Sequence, residues 1–262
     1  MQPTFFIPHG GGPCFFMDWI PPDTWNHMRV FLSGLIANLD EKPREILLIT
    51  AHWETPDITL STNLAPNLLF DYYNFPPHTY ELTWPAPGAP KLAERAAELL
   101  IKSGIETKFD QTRGFDHGVF VPMKLALPEA DIPLAMMSLR QYLDPAHHLA
   151  AGAALAPLRA EGVLIIGSGL SYHNLAAFSA DVENPEADKF DAWLTTTIEG
   201  PTDDRAKALA AWAAAPGARA SHPREDHLAP IFVAAGAAQT DPGQRVYHEI
   251  LMGNAVSAYR FG

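Results

Sequence analysis

Five short runs rich in β-branched and apolar residues recur along the chain: Thr4 to Ile7, Glu45 to Thr50, Ile58 to Ser61, Ile132 to Leu139 and Gly162 to Gly167. Runs of this length and composition read as strands. Stretches of helical periodicity lie among and after them, predicting helices at Lys91 to Ser103, Val119 to Leu127, Ala146 to Ala160, Ala187 to Glu199, Arg205 to Ala214 and Asp226 to Ala238. This alternation predicts an α/β fold with a central mixed sheet covered by helices on both faces. No repeat, low-complexity tract or long polar linker divides the 262 residues, and 47% of them are apolar, so one catalytic-sized domain over 1–262 is expected.

Charge and cysteine usage remove several function classes. Lys and Arg number 18 against 30 Asp and Glu, a formal net charge of −12, which leaves no basic face for nucleic acid. The opening Met1-Gln2-Pro3-Thr4-Phe5-Phe6 has no basic region and no long apolar stretch, so no membrane segment or signal peptide is expected and the cytoplasm is the expected compartment. With Cys14 alone, neither an intrachain disulfide nor a cysteine zinc cluster can form. Gly10-Gly11-Gly12 is too short for a phosphate-binding loop and no Lys-Ser/Thr follows, so neither ATP nor NAD is implied. Gly167-Ser168-Gly169-Leu170-Ser171 lacks the spacing of a serine nucleophile turn.

What remains is histidine, of which there are 11. Open α/β sheets bind ligands outside the carboxyl ends of their strands. His9 follows the first strand, His52 the second and His173 the strand ending near Gly167; His227 opens the last apolar helix, and His117 sits between a strand-like segment and a helix. If the first two strands are parallel neighbours, His9 and His52 converge on one crevice. Each residue alone reads as readily as a hydrogen-bonded loop histidine. Together, in a chain without spare cysteines, they point to a mononuclear metal site, imidazole suiting both Zn and Fe. His27, His78, His147, His148 and His248 lack such a setting and read as surface or structural, and Glu225-Asp226 reads equally as a helix N-terminal charge pair or as ligands. A zinc hydrolase using a metal-bound hydroxide is compatible with these histidines taken by themselves.

The ordered blocks Pro8-His9-Gly10-Gly11-Gly12-Pro13, Thr50-Ala51-His52-Trp53-Glu54-Thr55, Asp71-Tyr72-Tyr73-Asn74-Phe75-Pro76, Trp84-Pro85-Ala86-Pro87-Gly88, Gly114-Phe115-Asp116-His117-Gly118, Gly167-Ser168-Gly169 with His173-Asn174-Leu175, and His222-Pro223 with Asp226-His227 resemble the DODA-type extradiol ring-opening dioxygenases. That family lies within the class III superfamily of the protocatechuate 4,5-dioxygenase β-subunit. The resemblance runs over nearly the whole chain. It implies His9, His52 and His227 as metal ligands, His173 as acid/base or additional ligand, and His117 close to the reacting oxygen. It further implies Fe(II) as the catalytic metal with Zn(II) as a possible occupant, a small aromatic diol and O2 as substrates, and a monomer or small homo-oligomer. Asp226 stands where such proteins usually carry Glu, and Tyr172 where a small hydroxyl residue is common. In the wider superfamily a glutamate is the third ligand, so Asp226 or Glu225 competes with His227 for that role. A relative that has lost its chemistry and only binds is the further alternative, against which the presence of all the motif histidines argues. The loop carrying Tyr72, Tyr73, Phe75, Tyr80 and Trp84 is expected either to wall an aromatic pocket or to pack onto the body. Arg113, Arg140 and Arg224 are the cations near the motifs that a substrate carboxylate would meet.

Overall fold

The computed structural model describes residues 1–178 and 182–262. Its strands are β1 (Thr4–Pro8), β2 (Glu45–Thr55), β3 (Ile58–Ser61), β4 (Thr107–Asp110), β5 (Leu134–Arg140), β6 (Val163–Gly169), β7 (Gly243–Leu251) and β8 (Asn254–Phe261). The helices are α1 (Asn26–Gly34), α2 (Pro90–Lys102), α3 (His117–Ala126), α4 (Pro145–Leu155), α5 (Pro157–Ala160), α6 (Pro185–Glu199), α7 (Thr202–Ala210), α8 (Ala218–Ser221) and α9 (Ala229–Ala238). Among the described residues the strands form one sheet in the order β4-β3-β5-β2-β6-β1-β8-β7. The central four, β5-β2-β6-β1, are parallel, and antiparallel pairings join β3 and β8 to either side, so the sheet is mixed as expected.

The central strands read as unbroken apolar runs because both of their faces are covered. On β2, Leu47 and Ile49 belong to one core while Ile46 and Leu48 belong to the other; on β6 the same split separates Val163 and Ile165 from Leu164 and Ile166. The first core takes in α2, α4 and α9, the second α1 and α3, which gives the helical cover on both faces. No helix among the described residues is long and apolar enough to cross a membrane.

Several expectations change in detail. β1 and β2 are not neighbours, since β6 lies between them, yet all three run parallel and their carboxyl ends still meet. The helix expected over Ala146 to Ala160 is divided into α4 and α5, because Pro157 has no N–H with which to continue α4. The helix expected from Asp226 starts at Ala229 with Pro230 in its first turn, which leaves His227 on the preceding turn. The helix expected over Arg205 to Ala214 is α7, starting at Thr202, followed by a short 3-10 turn at Trp212–Ala214.

Of the two readings of His148, surface or structural, the structural one holds: the residue is fully buried and both ring nitrogens are used, Nδ1–H donating to the Asp144 carbonyl at 2.8 Å and Nε2 accepting from the Arg140 N–H at 3.1 Å. That arrangement requires a neutral ring, and burial pushes its pKa down to about 4. An unfolded imidazole titrates near 6.5, so between those values the unfolded chain binds more protons and stability falls as the pH drops. The loss amounts to on the order of 3 kcal/mol at the acid end. Urea unfolding from pH 7 to pH 4.5 is expected to show a shallower loss for His148→Gln than for the parent protein; parallel curves would remove His148 from the account.

Candidate active site

All five motif histidines reach the carboxyl end of the parallel strands. His9 directly follows β1, and its ring lies 4.9 Å from His52, 5.4 Å from His117 and 5.2 Å from His227, centroid to centroid. His52 is near the end of β2, where the pairing with β5 slips between Ile49 and Glu54, an irregularity of the kind that re-aims a side chain beside a site. His117 opens α3, and His173 stacks on His227 at 3.3 Å with an interplanar angle of 13°. Two close approaches make the convergence possible. A Cβ on Gly118 would sit 2.8 Å from the His52 ring, and one on Gly169 would sit 2.0 Å from the His227 carbonyl, so only glycine lets α3 and the turn before α9 come in this far.

Burial in the crevice sets the charge state. Burial first, and then the neighbouring imidazoles, hold His9 and His227 well below the usual histidine range; His52 is pushed down to about 3, and His173 is lowered by burial despite the opposing pull of Asp226. Neutral rings retain a lone pair, which is what a metal ligand or a base must offer.

Buried partners then fix which nitrogen keeps it. The Ser168 hydroxyl donates to the Gly118 carbonyl, so at 3.2 Å from His9 Nδ1 it accepts, and the lone pair of His9 is left on Nε2. That Nε2 faces His52 Nε2 at 3.1 Å. Asp71 accepts from both the backbone N–H of His117 at 2.9 Å and its Nδ1 at 2.8 Å, leaving His117 Nε2 likewise free. Burial raises the Asp71 pKa, but the hydrogen bonds and charge of His117 outweigh it and hold the carboxyl below its ordinary value. His227 Nδ1 is buried and makes no hydrogen bond, although an Asp226 oxygen lies 3.1 Å away. Facing nitrogens and an orphaned ring nitrogen fit a cation: ligand atoms of His9, His52 and His117 lie within 4.8 Å of one another, as do those of His173, Asp226 and His227.

Several partners of these rings, Ser168, Asp71, Asp116 and Thr50, are residues that the sequence left without roles. Arg113 donates to Asp116 at 2.9 Å and to the His52 carbonyl at 3.1 Å, and its guanidinium lies over Trp53. Asp116 also accepts from Thr50 at 2.8 Å, so one buried carboxylate ties the end of β2 to the start of α3. Arg113 is thereby engaged within the protein through Nη2. Glu225 is drawn off by Arg219 at 2.7 Å, whereas Asp226 stays beside His227. Of the aromatic loop, Tyr72 lies 6.0 Å from the His117 ring and packs against Phe75 and Tyr80; Trp84 is core, bonded to the Leu127 carbonyl, and Tyr73 points outward. The only signal for Ser168 or Asp71 in the sequence was membership of a motif block.

Removing the Ser168 hydroxyl frees His9 Nδ1 to compete for the proton. Ser168→Ala is expected to weaken binding of added Fe(II) or Zn(II) by about 10–100-fold, read by chelator competition; equal affinity in the two proteins would reduce Ser168 to packing.

Comparison with known proteins identifies the chemistry to which this geometry belongs. A family model described as the catalytic LigB subunit of aromatic ring-opening dioxygenase matches residues 21–261. The protein of Beta vulgaris named 4,5-DOPA dioxygenase extradiol is 36% identical over 100% of this chain and 97% of its own length. That of the same name from Portulaca grandiflora is 40% identical over 89% of this chain and 85% of its own. The crystal structure of an uncharacterized protein from Escherichia coli K12 has the same fold, with a TM-score of 0.81 at 27% identity over 100% of both chains. The chain belongs to the LigB family of class III extradiol dioxygenases, and its histidine crevice sits in an enzyme that opens aromatic rings.

Proposed function

We propose that the whole chain is one catalytic domain, working in the cytoplasm, that cleaves a catechol beside its two hydroxyls and inserts both atoms of O2. In this reading His9, His52 and His227 hold a single Fe(II), and His173 and His117 act on protons and oxygen. The observation that supports it is the convergence of five imidazoles in which Ser168 leaves the lone pair of His9 on Nε2 and Asp71 holds His117 through Nδ1. When bound, iron supplies coordination for the two diol oxygens and for O2. Zn(II) binds neutral nitrogen sites at least as readily, so a purified sample carrying zinc is compatible with this function.

The chain's own groups do the rest. His173, neutral through burial, can accept the proton that a catechol hydroxyl gives up on binding, and its stacking on His227 fixes where the ring nitrogens point. His117, tethered through Nδ1 to Asp71, directs Nε2 toward the centre, where it can hydrogen-bond a negatively charged oxygen. Tyr72 stands behind His117 and keeps that side apolar. A substrate of the catechol amino-acid kind, as named for the relatives, suits an aromatic wall opposed by polar groups.

Fe(II) reconstitution without oxygen, followed by O2 uptake and absorbance scans with a panel of catechols, tests this directly. One O2 is expected per ring, with a new yellow semialdehyde band. His52→Ala should abolish both and His173→Ala should lower the rate by about 10²–10⁴-fold. Full iron loading without O2 uptake on any catechol would sink the proposal.

A further inference from the structure

His222 stands in a motif block, yet the reaction described above gives it no task. Its side chain is wholly buried between Phe190 on α6 and Trp212, edge to face with both rings at centroid distances of 5.3 and 6.0 Å. A residue before proline is kept out of the helical region. Pro223 therefore ends α8 at Ser221 and leaves His222 extended, with φ of −129° and ψ of 86°. Burial holds the ring neutral, its pKa pushed down to about 4, so it carries a single N–H. That hydrogen is on Nε2, which donates to the Ser171 carbonyl at 2.9 Å; Nδ1 is buried and has no partner among the described residues.

The bond to Ser171 belongs to a strap. The chain leaving β6 runs beside the chain that leads from α8 to α9, and the two are bonded at several points. The Leu170 N–H donates to the His227 carbonyl at 3.0 Å, the His173 N–H to the Ser221 carbonyl at 3.0 Å and Asn174 Nδ2 to the Ala220 carbonyl at 2.9 Å. His222 adds the bond between the first two of these. Ser171 also accepts at its hydroxyl from the Ser257 N–H of β8 at 2.7 Å, so it is held from two sides.

His173 depends on such a strap more than the other rings do. The rings of His9 and His117 have partners of their own in Ser168 and Asp71, whereas no hydrogen bond among the described residues reaches the His173 ring. Its direction comes from the backbone that carries it and from the stack on His227, with 3.3 Å between centroids and 13° between planes. The two stacked rings ride on the two strapped segments, so the register between those segments sets their overlap. We propose that His222 is a positioning residue for His173: its Nε2–H bond to Ser171 fixes the segment carrying His173 against the segment carrying His227, and so aims His173 at the substrate proton. The inference rests on the role of His173 as base given above.

Two replacements of similar volume separate the bond from the bulk. His222→Gln keeps an amide N–H at the reach of Nε2, and His222→Met fills the space without a donor. In the Zn(II)-loaded protein, which is diamagnetic, the His227 ring displaces the His173 ring protons upfield in the NMR spectrum. His222→Met is expected to lose that displacement and His222→Gln to keep it, with the His9 ring signals unmoved in both. In the Fe(II)-loaded protein, with the catechol that the parent turns over fastest, His222→Met is expected to lower kcat about 10–100-fold and His222→Gln less than about threefold. With His173→Ala already in place, His222→Met should cause no further loss, because a residue that acts through His173 then has nothing to aim; a role in packing alone would multiply the two losses. His173 signals that stay in place in His222→Met, equal damage from Gln and Met, or a loss that persists beside His173→Ala would overturn the inference. Should His222→Met fail to fold, Asn174→Ala cuts the outermost bond of the same strap and must reproduce the NMR and kcat pattern at smaller size, or the inference falls. A parent protein that turns over no catechol defeats the reading of His173 as a base and leaves the NMR comparison to decide on His222.

Discussion

Desolvation of the imidazoles at one end of the sheet is the constraint on which the rest of the structure depends. Rings crowded at centroid separations of 3.3 to 5.4 Å could not be charged together, and burial removes the water that would screen them. Burial and crowding therefore hold His9, His52, His173 and His227 toward the neutral form. Neutrality alone would leave each proton free to sit on either nitrogen. Ser168 and Asp71 remove that freedom for His9 and His117, so that the tautomers are chosen by partners outside the crevice.

Bringing so many side chains together demands backbone contact closer than ordinary residues permit. Gly169 ends β6 against the His227 carbonyl, and Gly118, in the first turn of α3, lies against the His52 ring. The Arg113–Asp116–Thr50 chain locks the second of these junctions, joining a strand end and a helix start through one buried carboxylate that burial raises and Arg113 and Thr50 pull back. Two of the rings thus stand on regular elements, His52 on β2 and His117 on α3, and His9, His173 and His227 follow strand ends or precede a helix within a buried framework.

The parts of this molecule legible in the sequence are those where one physical signal dominates. Buried parallel strands announce themselves as apolar runs, and β1, β2, β3, β5 and β6 were found on that basis. β7 and β8 gave no such sign. β7 is an edge strand whose pattern mixes Arg245, His248 and Glu249 with apolar residues, and the two are joined at Met252-Gly253, both with positive φ, where Asn-Gly would have marked the hairpin. In the site, strand-end placement and motif blocks picked out the five histidines. Their partners Ser168, Asp71 and Asp116 escaped because Ser and Asp are common on any surface, and only the fold reveals that Ser168 and Asp116 are wholly buried.

The pairing of β1 has a consequence for how the enzyme comes into being. The strand that delivers His9 is bonded only to β6 and β8, so its partners begin at Val163 and Asn254. During synthesis the first of the crevice histidines emerges long before anything can hold it, and β1 reaches full pairing only once β8 is made. The histidine crevice is in this sense a product of the fold from β1 to β8: a nascent or truncated polypeptide carries most of its histidines but no rigid crevice in which to present them.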